Sequence, residues 1–154
     1  MSVPVDDGYC FACGPENPIG LHLQFEPDGE GVRATITLQP EFQGWKHIAH
    51  GGIAMMLIDE AMAHAAGAAG HRGVTASVNM RFRKPVPLGE PLDLFGRVVW
   101  QRHKVLGVVA SVRDASGAVL LDGEGKFVSR GPLEGVDDYR TRSRYGVGVS
   151  ESAD

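Results

Sequence analysis

The stretch Gly51 to Ala66, GGIAMMLIDEAMAHAA, constrains this chain more than any other. It is rich in helix-forming Ala, Met and Leu, contains no proline and opens on a Gly-Gly pair. A helix over these residues is apolar around nearly its whole circumference, so it cannot rest on a surface with one side in water. It must be buried on most faces, and the rest of the chain has to wrap it.

The wrapping reads as strands. Leu21 to Phe25 and Val32 to Leu38 alternate apolar and polar side chains on either side of the turn Pro27-Asp28-Gly29-Glu30-Gly31, which predicts a β-hairpin. After the helix, Val74 to Phe82, Pro91 to Gln101, Val105 to Asp114 and Ala118 to Val128 are four more strand-like runs, parted by RKPVPLGE, RHK and DASG. Two strands, a buried helix, then four strands is the order of one antiparallel β-sheet wrapped around one central helix, an α+β hotdog fold. A length of 154 residues suits one domain, expected over residues 1–130. Residues 1–20 form an irregular Pro- and Gly-rich lead-in. Residues 131–154 have few large apolar side chains and no period, which predicts a mobile or partner-bound tail.

Composition narrows the partners. With 22% charged residues, a formal net charge of -4 and no extended run of one sign, the chain is not expected to bind nucleic acid. The longest apolar run, Ile53 to Ile58, is far short of the roughly 20 residues of a membrane span, and MSVPVDDGYC lacks the basic-then-apolar pattern of a signal peptide. A cytoplasmic location without membrane attachment is therefore expected. Cys10 and Cys13 are too close to staple a useful loop, which also favours a reducing compartment.

Three stretches carry a family resemblance: CFACGPENPIGLHLQF, FQGWKHIAHGGIAMMLIDEAM and TASVNMRFRKPVPLGEPL. They resemble the acyl-CoA thioesterases of the hotdog superfamily, in the branch of the phenylacetate-pathway enzymes, over about residues 9–130. The most specific element is His50-Gly51-Gly52 with an acid nine positions on, at Asp59. The resemblance implies hydrolysis of an acyl-CoA to the free acid and CoA by a homodimer or homotetramer, with no cofactor and no metal.

The residues support that chemistry independently. A thioester carbonyl gains negative charge on oxygen when attacked, and a helix N-terminus offers unpaired N–H groups and a favourable dipole end. Gly51 and Gly52 sit there without side chains, so a ligand can approach the backbone; the Gly51 N–H is the candidate oxyanion donor and His50 the group that orients the carbonyl or the leaving thiol. The plainer alternative is that Gly-Gly only permits a tight loop-to-helix junction, with His50 as its cap. Asp59 lies mid-helix among Met55, Met56, Leu57, Ile58 and Met62, where a carboxylate is costly unless solvated or paired, and burial should raise its pKa. It would either activate water or attack the thioester to form an anhydride. Glu60 could hold that role instead, but it faces about 100° away. Gly51 and Asp59 stand about 12 Å apart along a helix, so both can act on one carbon only if a second subunit supplies one of them.

Further residues join by spacing. Thr75, Ser77 and Asn79, at i, i+2 and i+4 of one strand, are expected to share a face; by the family spacing Thr75 or Ser77 would hold the water or the acid, against the alternative of a solvated strand face. Gln43 lies near the place where relatives carry an amide that orients the nucleophile, although Gly44 stands where some have Asn. Arg81, Arg83 and Lys84 are candidates for the CoA phosphates, with Arg102, His103 and Lys104 as a second basic turn. Cys10-x-x-Cys13 has no second CxxC or His pair at ligand spacing, so it is expected to pack the lead-in against the acyl pocket rather than to bind zinc. Two other readings stay open: a hotdog hydratase or dehydratase acting on an enoyl thioester, and a non-catalytic acyl-CoA binding protein with a structural Asp59.

Overall fold

The computed structural model describes residues 3–133. Nearly all of the expected C-terminal tail, residues 134–154, lies outside the described residues. Six strands and one α-helix follow one another as β1 (Glu26–Asp28), β2 (Gly31–Thr37), α1 (Gly51–Ala68), β3 (His71–Phe82), β4 (Pro91–Arg102), β5 (Val105–Arg113) and β6 (Val119–Pro132). They form one sheet in the order β1-β2-β4-β5-β6-β3, antiparallel at every pairing. The sheet wraps α1, as the apolar circumference of that helix requires.

The core lies between them. Leu57, Ile58, Ala61, Met62 and Ala66 of α1 are fully buried, against Leu92 and Leu94 of β4, Leu106 and Val112 of β5, and Leu121 and Phe127 of β6. Helix and sheet come close at Gly96, where a Cβ would run into the Ala61 carbonyl oxygen. Burial fails chiefly along one stripe of α1, where Gly51, Gly52, Met55, Met56, Asp59 and Ala63 stay partly or fully accessible. Their spacing of three and four residues puts them on one face.

Three expectations need correction. Leu21 to Phe25 is not a strand: its alternation does bury Leu23 and Phe25, but the N–H groups of Leu21 and Leu23 bond the carbonyls of Phe11 and Ala12 in the lead-in. The hairpin is reduced to the three residues of β1 against β2. At the other end β6 runs on to Pro132, past the expected strand end at Val128, because β3 starts at His71 and pairs with it there.

The third correction concerns β3. A register shift lies between Thr75 and Ser77, which makes Ala76 the extra residue of a β-bulge. Thr75 pairs with Phe127, which is buried against the helix, whereas Ser77 pairs with Lys126 and Asn79 with Glu124, both exposed. Opposite residues of an antiparallel pair share a face. Thr75 therefore faces α1, while Ser77 and Asn79 face away from it.

Candidate active site

Asp59 is half-buried on the accessible stripe of α1, and the Thr75 hydroxyl donates to its Oδ1 at 2.8 Å. Burial holds the Asp59 carboxyl above its ordinary pKa, the Glu60 charge pushes the same way, and the Thr75 hydrogen bond opposes both. No partner for Oδ2 occurs among the described residues, so that oxygen is placed to take a proton from water or to attack directly. Of the two hydroxyls singled out by spacing, the fold brings only Thr75 to Asp59.

The other end of the stripe is the helix N-terminus. His50 is the N-cap, and its Nδ1 accepts from the Gly52 N–H at 2.8 Å. An accepting Nδ1 places the proton of the neutral ring on Nε2, which makes that nitrogen a donor. Gly52 suits this arrangement, since a Cβ there would press against the ring at 3.1 Å from Nδ1. The capping alternative is thus realised, and it leaves the Nε2 side of the ring for a ligand. Gly51 is the first helical residue, its N–H has no acceptor among the described residues, and a Cβ at Gly51 would find only Phe82 at 4.0 Å. The space beside this donor is open.

Gln43 does not reach toward Asp59. Its Oε1 accepts from the His47 N–H at 3.0 Å and so closes the loop that delivers His50 to the helix. The Gly44 N–H bonds the Ile48 carbonyl at 2.9 Å, and the Ala49 N–H bonds the Val86 carbonyl at 2.8 Å. Gly44 passes so near the Cα of His50 that a side chain there would meet it at 2.9 Å. Asn at that position, as in some relatives, would not fit this loop path.

The proposed phosphate-binding residues divide. Asn79, Arg81 and Arg83 lie on the outer face of the sheet and line a broad hollow there with Arg97, Arg113 and Asp122. Arg83 is already engaged, with Nε 2.8 Å from Asp122 Oδ2. Lys84 is exposed where the chain leaves β3, and its backbone N–H bonds the Leu120 carbonyl.

One cluster escaped sequence reasoning. Glu60 is 9% exposed, and its Oε2 lies 3.0 Å from His64 Nε2 and 3.6 Å from the Cys10 Sγ. His64 is fully buried and stacks on Phe25 with ring centroids 4.3 Å apart. The Cys10 thiol is pulled down to about 6, first by a hydrogen bond from the Cys13 side chain, against burial and the Glu60 charge, which push it up. Glu60 is therefore no solvated helix charge, and it serves a different face of α1 from Asp59. The available signal was His64, one helical turn after Glu60 in an otherwise apolar run.

The fold has counterparts among known proteins. Residues 46–121 match the Thioesterase superfamily. No curated protein matches the chain. A crystal structure of a thioesterase superfamily protein is 31% identical, with a TM-score of 0.75 over 79% of this chain and 61% of the other. This chain thus spans less than two thirds of that relative. The E. coli PaaI protein, from the phenylacetic acid degradation operon, is 20% identical with a TM-score of 0.67, over 73% of this chain and 82% of that one. A hypothetical thioesterase from Streptococcus pneumoniae TIGR4, solved with coenzyme A, is 19% identical with a TM-score of 0.68, over 73% of this chain and 88% of that one. The last two share the fold. The helix that dominates the sequence is the central helix of a hotdog fold, and it lies within the residues that match the thioesterase superfamily.

Proposed function

We propose that this protein hydrolyses an acyl-CoA thioester to the free acid and CoA, at sites completed by a second copy of the chain. The observation that carries the reading is Asp59, a half-buried carboxylate with a raised pKa, held through one oxygen by Thr75 and set on the one uncovered stripe of a buried helix. The carbonyl oxygen would sit at the Gly51 N–H, where the helix dipole and an open donor favour the charge that develops on attack. His50, a donor through Nε2, is placed to polarise the carbonyl or to protonate the departing thiolate. Asp59 takes a proton from the attacking water, or attacks first and is released by water from the anhydride.

Two features support completion by a partner. Gly51 and Asp59 are separated by eight residues of helix, about 12 Å, too far to serve one carbon. The stripe that holds them also borders β3, a twelve-residue edge strand with Val74 39% and Phe82 48% exposed. Long edges of this kind invite pairing with another strand. A homodimer, or a tetramer built from dimers, would cover the edge and bring the Gly51 end of one helix to Asp59 of the other. The coenzyme A seen with the S. pneumoniae thioesterase is consistent with an acyl-CoA ligand here, and Arg81 and Lys84 are the cations proposed to meet its phosphates.

The decisive assay is thiol release from a panel of aromatic and straight-chain acyl-CoAs, with wild type beside Asp59→Asn. Wild type should hydrolyse at least one member, and the variant should lose on the order of 10²–10⁴ in kcat. An inert wild type across the panel, or a variant as fast as wild type, removes the catalytic reading of α1.

A further inference from the structure

We propose that Cys10, Cys13 and Glu60 bind a single Zn2+ ion, which fastens the lead-in to the side of α1 away from Asp59. The three donor atoms come from segments 50 residues apart in sequence, yet all lie within 4.8 Å of one another. Two thiols and a carboxylate form a soft, anionic donor set that favours zinc over magnesium or calcium.

The local chain is shaped for this role. Residues 10–14, CFACG, close into a tight loop in which the Gly14 N–H bonds the Cys10 carbonyl at 2.7 Å and the Cys13 N–H points at the Cys10 Sγ at 3.4 Å. Only glycine fits at position 14, because a Cβ would collide with the Cys10 nitrogen and the Gly8 carbonyl oxygen. The turn sets both sulfurs on one side of the loop, and a backbone N–H directed at one of them stabilises a thiolate.

The third donor is positioned from behind. His64, fully buried and stacked on Phe25, holds the Glu60 carboxylate at 3.0 Å. Support by a neighbouring group is what orients metal-binding side chains. The spacing also fits: arms of about 2.3 Å to sulfur and about 2.0 Å to oxygen, at the tetrahedral angle, put the two ligand atoms about 3.5 Å apart, and Cys10 Sγ lies 3.6 Å from Glu60 Oε2. A buried carboxylate with two thiols beside it becomes a strongly anionic donor set once the thiols give up their protons to the incoming cation. Protons remaining on the thiols pass to solvent as the ion binds, and water fills the fourth position. The ion takes no part in the chemistry proposed at Asp59.

The test uses the full chain, purified under reducing conditions without a polyhistidine tag. Wild type should keep about one zinc per chain through gel filtration, measured by inductively coupled plasma mass spectrometry. After chelation, added Co2+ should produce the near-ultraviolet absorption of thiolate-to-cobalt charge transfer. Cys13→Ser should lose that absorption, Glu60→Gln should keep it with binding at least about tenfold weaker, and Asp59→Asn should leave metal content unchanged. Reduced wild type that neither retains zinc nor develops the cobalt absorption overturns the proposal, whatever the variants do. Unaltered affinity in Glu60→Gln, or a metal lost with Asp59→Asn, overturns this donor set.

Discussion

Thr75 and its surroundings pull Asp59 in opposite directions, since burial raises the carboxyl pKa and the Thr75 hydrogen bond lowers it. A base works only when ionised, so the rate should rise with pH through the raised pKa of Asp59 and give an acid limb above the ordinary aspartate value. Thr75→Val removes the lowering influence. The limb in kcat/KM should then move to higher pH; one that stays in place or moves lower would mean that another group titrates. Asp59 was legible in the sequence because a carboxylate in an otherwise apolar helix is costly and needs a reason. The grouping of Cys10 with Glu60 was not, because 50 residues of chain separate them and no local period links a loop thiol to a buried helical acid. His50 was half legible: its place beside the Gly-Gly pair was plain from the sequence, but the cap that fixes its proton on Nε2 depends on the rotamer.

At the scale of elements, the N-terminal end of α1 offers a direct test of the oxyanion role. Proline is well suited to the first helical position, His50 already has the extended backbone that precedes proline, and the space beside Gly51 is open. Gly51→Pro should therefore fold while losing the one N–H at issue, and kcat should fall by about 10²–10³. Unchanged turnover with a normal circular dichroism spectrum would remove Gly51 as the donor. The helix and the four strands after it were readable because their apolar runs are long and parted by clear turn residues. Leu21 to Phe25 misled because alternation reports which side chains are buried, whereas strand identity depends on where the N–H groups bond, and here they bond the lead-in. The bulge at Ala76 left no mark in the sequence, since a small residue between Thr75 and Ser77 is as compatible with regular pleating as with an interruption.

For the whole molecule, a site split between chains makes the two key changes complementary. A mixed dimer of Asp59→Asn with Gly51→Pro holds one site with both groups intact and one with neither. Co-expressed and randomly paired, the two dead variants should recover about a quarter of wild-type activity, read as thiol release from a wild-type substrate. No recovery in purified mixed dimers would place both groups of each site within one chain. The same exposed strand that would join the copies also carries the extra residue at Ala76. Upstream of it the strand addresses its own helix through Thr75; downstream, Ser77, Asn79 and Arg81 address the outside world. Ala76 thus acts like a change of reading frame in the pleat. Thr75 and Ser77 already oppose the adjacent residues Phe127 and Lys126, so deleting Ala76 would leave a regular strand with each side chain on its present face. Deleting a residue from the regular run Ser77–Phe82 would instead exchange inside and outside for everything on one side of the cut, so the strand should tolerate a change of length at Ala76 and refuse one beyond it.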